Sequence, residues 1–338
     1  MSGKLMKTFL AGAALVGAGA WAVAPRSFND RRKNFVSGVP DVWYAHRGLH
    51  DAGSGLSRTG EEVDEYIEYT RKMAAKAGFG DVSYEGSIAP ENSLASFAAA
   101  CEAGYGIELD IQITDDLQVV VCHDSTLQRV AGVDKRISES TYDELKDIVL
   151  FPAPNKAGSP SVTVDGDKQQ SYEQHVPLLS DVLELVNGRV PLIIEYKFDD
   201  NTVWNDDNEE FMRVAHEILS AYNGDYVIES FHPGALLWYR RNAPEITRGQ
   251  LASKPRPITA GVPQFLLGSL ACNFLSRPDF IAYNWTGDDL PQVRAARNLG
   301  ALNVSWTVRS HEELNACHLN FDRHIFECFI PDSVHNVE

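Results

Sequence analysis

Nine short apolar runs recur along the chain, and most are followed by segments whose apolar residues return at helical spacing. The runs predict strands at 42–45, 106–113, 119–122, 190–196, 226–230, 247–251, 280–283, 303–308 and 324–328. They are nearly continuous rather than alternating, as strands covered on both faces should be. Helices are predicted at 93–101, 178–186, 209–222, 233–242, 290–299 and 311–319. Asn92 or Ser93 would cap the first of these, and Gly104 would stop it. Strand and helix alternate from the first run to the last, which predicts a parallel α/β fold. Roughly eight such units would close as a TIM (β/α)8 barrel.

Three segments fall outside this rhythm. Residues 51–88 carry a helical pattern, with Val63, Tyr66, Ile67, Thr70, Ala74 and Ala77 on one face, and read as a helical insertion after the first strand. Residues 152–172 are rich in Pro, Gly, Ser, Gln and Asp and read as a surface loop. The third is the uncharged run Phe9 to Ala24, preceded by Lys4 and Lys7. It predicts an N-terminal apolar membrane segment, short for a span but serviceable as an anchor. A cleaved signal peptide competes, with Ala22-Val23-Ala24 as a small-x-small site, although Pro25 would hinder cleavage there. Arg26, Arg31, Arg32 and Lys33 follow the run, so charge does not orient it. The expected organisation is therefore a signal or anchor segment with linker over 1–35 and a barrel over 36–338, with the insertion at 49–89. Membrane association is the expectation, and secretion after cleavage is the alternative.

Composition narrows the function. The 338 residues are 44% hydrophobic and 23% charged, an ordinary globular balance. A net charge of −17 argues against a nucleic-acid partner, which calls for a basic face. The sequence leaves protein partners undefined. Cys101, Cys122, Cys272, Cys317 and Cys328 are scattered, with no CxxC pair, and read as reduced buried thiols rather than a zinc module or disulfide framework.

The candidate chemistry lies mainly in the first 125 residues. His46 and His123 bracket Glu91, Glu108 and Asp110. Two imidazoles can serve as acid and base, and carboxylates can hold a hard cation, which is the equipment for metal-assisted phosphoester hydrolysis. Glu108 and Asp110 are two apart on an apolar strand and share a face. Side by side they repel unless a cation separates them, and oxygen donors suit Mg²⁺ or Ca²⁺. Solvated acids on a rim strand are the competing reading. Glu195 ends a second apolar run, with Lys197 on its face; a surface ion pair is equally consistent with those two residues. Arg47 could bind phosphate by its planar fork or pair with an acid.

No single element is specific, but the ordered set resembles the glycerophosphodiester phosphodiesterase family. The resemblance is carried by His46-Arg47-Gly48, the stretch from Pro90-Glu91-Asn92-Ser93 to Phe97, Glu108-Leu109-Asp110-Ile111-Gln112-Ile113-Thr114, and the stretch from His123-Asp124 to Arg129. It continues through Glu195-Tyr196-Lys197, Ser230-Phe231-His232-Pro233 and Ser305-Trp306-Thr307-Val308, from about residue 42 to 331. The resemblance implies a TIM barrel that hydrolyses glycerophosphodiesters to glycerol 3-phosphate and an alcohol, with one divalent cation. It implies Glu108, Asp110 and Glu195 as metal ligands, with Glu91 joining the metal or the glycerol. His46 and His123 would be the acid–base pair, Arg47 and Lys197 would hold phosphate, and Trp306 would line the pocket.

The departures from the family pattern are three. Forty-one residues, 49–89, separate the HRG and PEN segments, where a short loop is usual. The usual Thr-x-Asp-Gly turn reads Thr114-Asp115-Asp116-Leu117, and the usual Thr-Asp-x-Pro near the end is replaced by Phe326-Glu327-Cys328-Phe329-Ile330-Pro331. The first puts substrate choice in question; the other two are expected to leave the chemistry untouched. The nearest alternative is a phosphodiesterase of membrane lipid, either a lysophospholipase D or a phospholipase C-like enzyme, with the helix in 51–88 as a lip at the bilayer. An inactive, anchored binding protein ranks below both, because every site position is filled.

Overall fold

The computed structural model describes residues 17–29, 38–152, 172–200, 203–255, 257, 265–266 and 268–331. The predicted loop at 152–172 falls almost entirely outside the described residues, as does the first half of the apolar run Phe9 to Ala24.

Eight parallel strands close into a barrel. They are β1 (Trp43–His46), β2 (Gly106–Ile113), β4 (Leu192–Tyr196), β5 (Tyr226–Ser230), β6 (Arg248–Ala252), β7 (Phe280–Asn284), β8 (Leu302–Val308) and β9 (Arg323–Phe326). β9 pairs with β8 on one side and β1 on the other, and β1 pairs with β2, so the barrel has no free edge. The remaining strand, β3 (Val119–Val121), runs antiparallel to the end of β2 and stands outside the barrel wall. Every predicted strand and helix forms, with boundaries shifted by no more than a few residues.

The barrel wall separates two apolar layers. Inside, Tyr44, Ile193, Val227, Leu251, Phe280, Ala282, Val304 and Ile325 fill the lower part. Large and small residues interlock there: a Cβ on Gly249 would lie 2.1 Å from the Phe280 ring, so only glycine leaves Phe280 its place. Outside, the helices cover the strands. They are α1 (Glu61–Lys76), α2 (Leu94–Ala103), α3 (Leu179–Val186), α4 (Asp206–Ser220), α5 (Pro233–Asn242), α6 (Pro291–Asn298) and α7 (His311–Cys317).

Along several strands the inward positions change from apolar at the N-terminal end to charged at the C-terminal end. Tyr44 gives way to His46, Ile193 to Glu195, and Val227 to Glu229. The C-terminal end is where such barrels keep their chemistry.

Two helices, α1 and α2, lie between β1 and β2. α2 opens with a reciprocal cap: Ser93 Oγ accepts from Ser96 N, and Ser96 Oγ accepts from Ser93 N. It ends at Gly104, which is left-handed. α1 is the helix anticipated within 51–88, and Val63, Tyr66, Thr70 and Ala74 are buried as the pattern requires. It packs against α2 with that apolar face inward. Arg71 on α1 gathers the following loop, donating to the carbonyl oxygens of Gly86 (2.6 Å) and Tyr84 (2.6 Å) and to Asp51 (2.8 Å).

At the start of the chain's described part, residues 17–23 form a short helix against the barrel. Among the described residues no helix is long and apolar enough to cross a membrane, so the expected transmembrane segment is not borne out by any described element. None of the five cysteines is in a disulfide.

Candidate active site

The site begins where β1 ends. His46 is its last residue, and the chain then turns through two left-handed residues, Arg47 (φ 57) and Gly48 (φ 79). A Cβ on Gly48 would lie 2.5 Å from Ser96 Oγ and 2.8 Å from the Ser96 backbone, so α2 presses directly on this turn. The turn aims the Arg47 side chain into the barrel mouth. Its Nη1 donates to Glu91 (2.8 Å), its Nε lies 3.3 Å from Asp110, and its backbone N–H donates to Glu108 (3.1 Å).

The Pro-Glu-Asn-Ser stretch supplies the partners. Asn92, also left-handed, donates from its backbone to Arg47 O (2.9 Å) and from its side chain to Asp110 (2.8 Å). Glu91 is clasped by Arg47 and Arg129 and accepts from Ser54 N. Burial alone would raise its pKa, but the two guanidinium groups hold it down at about 2.

Strand register builds the carboxylate cluster. Glu108 pairs with His46, Asp110 with Glu195, and Glu195 with Glu229, each set inward on neighbouring strands. Glu108, Asp110 and Glu195 are buried and offer oxygens within 4.8 Å of one another, the one such group among the described residues. Lys197, just past β4, places Nζ 2.7 Å from Glu195 and 3.2 Å from Asp110. Burial, reinforced by Asp110, Glu195 and Glu229, pushes the Glu108 carboxyl well above its usual range. Burial likewise raises Glu195 and, with the help of Glu195, Glu229. Asp110 goes the other way: despite burial, Lys197, His123 and Arg47 hold it low.

Four buried carboxylates thus face Lys197 and an Arg47 that is shared with Glu91. That surplus of negative charge in a poorly solvated mouth, with only oxygen donors, fits a hard divalent cation. Glu91, fully engaged by arginines, stands apart from the convergent three.

Both histidines line one cleft with Arg47, Glu108, Glu195, Lys197 and Trp306. His123 follows β3, and Gln112 holds that corner by donating to the carbonyls of Cys122 (2.7 Å) and Asp124 (2.9 Å). The two imidazoles are held alike. His123 Nδ1 meets Asp124 at 2.6 Å, and Asp124 pairs with Arg129 at 2.6 Å. His46 Nδ1 meets Glu327 at 2.5 Å, and Glu327 pairs with Arg309 at 2.5 Å. Each carboxylate requires a proton on Nδ1 and leaves Nε2 facing the cleft. Burial lowers the pKa of His46 to about 4, against the pull of Glu327. Trp306 sits edge-on to Phe231 (5.7 Å, 89°), and its Nε1 has no hydrogen-bond partner among the described residues.

All nine residues singled out from the sequence, Glu91 among them, therefore meet at one barrel mouth. Sequence reasoning missed four more. Glu327 lies in the segment whose departure from the family pattern was expected to leave the chemistry untouched; its direct contact with His46 overturns that expectation. Arg309 and Glu229 are the second and third, each just past or near the end of a strand. The fourth is Ser54, brought to the cleft by the 49–89 segment, where its Oγ donates to Glu327 (3.2 Å). The strand-end position was the available signal for the first three; for Ser54 the sequence offered none.

Known proteins resemble this chain in fold and in sequence. The Oleispira antarctica phosphodiesterase, solved with the product sn-glycerol 3-phosphate, superposes with a TM-score of 0.56 at 21% identity, covering 84% of this chain and 92% of that one. The Thermotoga maritima glycerophosphodiester phosphodiesterase gives 0.53 at 20% identity, covering 85% and 94%. At these identities the likeness speaks for the barrel fold. In sequence, a Bacillus altitudinis glycerophosphodiester phosphodiesterase is 30% identical over 164 residues, 46% of this chain and 59% of that protein. A human lysophospholipase D is 33% identical over 141 residues, 41% of this chain and 42% of that one. The chain thus spans about half the length of these curated relatives. The profile of the glycerophosphoryl diester phosphodiesterase family matches residues 84–328, which include every one of these site residues except His46, Arg47 and Ser54, and the chain belongs to that family.

Proposed function

We propose that this protein hydrolyses glycerophosphodiesters to glycerol 3-phosphate and an alcohol. The observation that carries the reading is the convergence of Glu108, Asp110 and Glu195 beside two imidazoles that are each oriented by a carboxylate. A divalent cation, Mg²⁺ or Ca²⁺, held by those three carboxylates would supply positive charge opposite the nonbridging phosphate oxygens.

The chain's own groups do the rest. Arg47 and Lys197 donate to the same oxygens as charge grows on them. One imidazole takes a proton at Nε2 from the attacking hydroxyl, of water or of the glycerol, and the other gives one to the departing alkoxide. Asp124 and Glu327 keep each Nδ1 protonated, so that both exchanges occur at Nε2. Trp306 and Phe231 wall the cleft on the side of the organic group.

A second reading, lysophospholipase D activity, is favoured by the match to the human relative of that name. Turnover of glycerophosphocholine and of lysophosphatidylcholine by the purified chain, with Mg²⁺ or Ca²⁺ and with chelator, separates the two. His46→Ala and His123→Ala should each slow the reaction by about 10²–10⁴-fold. Near-normal rates in either variant would remove that histidine from the chemistry, and activity undiminished by chelator would remove the metal.

A further inference from the structure

The end of the barrel opposite the cleft carries an aromatic and basic patch that the phosphodiesterase chemistry does not use. Residues 17–29, which open with a short helix at 17–23, are fixed at the N-terminal ends of β6, β7 and β8. Asn273 donates to Val23 O (3.3 Å), and Arg277 Nη1 donates to the carbonyls of Trp21 and Ala24 (2.8 Å each). Arg26 N donates to Pro278 O (2.9 Å), Arg26 Nη1 to Pro244 O (2.6 Å), and Ser27 Oγ to Gly300 O (3.0 Å). Those acceptors all precede strands, which places the segment at the bottom of the barrel, whereas His46, Glu195 and Lys197 lie at strand C-termini.

Docked this way, the segment covers Val23 and Ala24 but leaves its largest ring out. Trp21 stacks on Phe274 (5.4 Å), and the Arg277 guanidinium lies 4.7 Å over the Trp21 ring. Trp21 is 50% exposed, Phe28 47%, Leu275 39% and Phe274 37%. The other exposed large apolar residues among those described, Val82, Leu117, Val133, Val203, Leu266 and Leu319, lie in separate segments of the chain.

Charge at this patch also differs from the rest of the protein. Arg240 and Arg241 are exposed at the end of α5, and Arg240 donates to Leu275 O (2.6 Å), beside Phe274. Glu245 is the one acid in the stretch 240–246. In a chain of net charge −17, a basic patch around stacked aromatic rings is a local inversion. Tryptophan at the edge of an apolar surface with arginines around it is the composition of a membrane interface, where basic side chains are attracted to anionic lipid. The uncharged run of the sequence continues N-terminally from this helix to Phe9, preceded by Lys7 and Lys4.

We propose that the barrel rests on an anionic bilayer through Trp21, Phe28, Phe274 and Leu275, flanked by Arg240 and Arg241, so that the cleft opens away from the membrane into water. The geometry then favours water-soluble glycerophosphodiesters over lipids of the same bilayer; that last step rests on the phosphodiesterase reading, whereas the orientation does not.

The full chain is mixed with phosphatidylcholine–phosphatidylglycerol vesicles carrying brominated acyl chains, and tryptophan fluorescence and cosedimentation are measured. The expected result is cosedimentation that weakens with salt, and quenching that is mostly lost in Trp21→Phe and kept in Trp306→Phe. Phe274→Asp, which leaves every tryptophan in place, should reduce cosedimentation as well. Failure to cosediment, cosedimentation without quenching, or quenching that survives Trp21→Phe would each overturn the orientation, whatever the activity assays give.

Discussion

His46 and Glu327 are 281 residues apart and meet at 2.5 Å, from the end of the first barrel strand to the residue just past the last. Those strands, β1 and β9, close the barrel. Closure of the fold and orientation of a site imidazole are therefore one event. Arg309 and Ser54 hold the outer oxygen of the same carboxylate, so Glu327 cannot swing away from the ring.

Glu327→Gln should keep the fold and the cleft but lose the charge that fixes the Nδ1 proton. The expected result is a kcat lower by about 10²-fold with a smaller change in KM. Glu327→Asp should recover part of the loss. An unchanged kcat in the Gln variant would show that the ring is positioned by its other neighbours.

Divalent cations should stabilise the protein in the absence of substrate. The gain is about 2.7 kcal/mol at a concentration 100 times the Kd, read as a rise in Tm with Mg²⁺ or Ca²⁺. Asp110→Asn and Glu195→Gln should remove most of that rise. In the metal-free protein, Glu229→Gln should raise Tm slightly, because it relieves a buried carboxylate that faces Glu195. A cation-independent Tm in the wild type would contradict the metal site.

Acid should unfold the protein partly through Glu91. Its carboxyl titrates near 2 in the folded chain and near 4.5 when unfolded, so the unfolded state binds the proton more tightly. The stabilisation, on the order of 3 kcal/mol, is present in full above pH 4.5 and is lost as pH falls towards 2. His46 acts in the same sense at higher pH: with its pKa lowered to about 4, stability declines as pH falls from 6.5. Glu91→Gln should flatten the acid limb of a stability–pH curve, and an unchanged limb would count against the arginine clasp.

Gly48→Ala should be costly despite its size. The backbone there is left-handed, and the added methyl meets Ser96 at 2.5–2.8 Å. Strain of about 1–3 kcal/mol is expected, with a shift of Arg47 that weakens phosphate binding. Differential scanning calorimetry and KM together check this; a variant with wild-type Tm and KM would mean that α2 yields.

Much of this protein was legible in its sequence. Near-continuous apolar runs such as 190–196 and 226–230 mark strands buried on both faces, and their alternation with helical patterns leaves few folds besides a barrel. The Pro90 to Phe97 stretch narrowed its cap to Asn92 or Ser93, and the structure shows Ser93 in that place, bonded to Ser96. His46, Glu108, Asp110, His123 and Glu195 stood out as an ordered set, since each taken alone has a bland reading. Tertiary structure alone decided who meets whom. Register across β2, β4 and β5 brings Asp110, Glu195 and Glu229 side by side, and no local pattern encodes pairing between residues 85 and 34 positions apart. Barrel closure delivers Glu327 to His46, and bonds to Glu91 and Glu327 hold Ser54 at the cleft. These are long-range contacts chosen by the shape of the whole core, so the sequence could name the groups but not their partners.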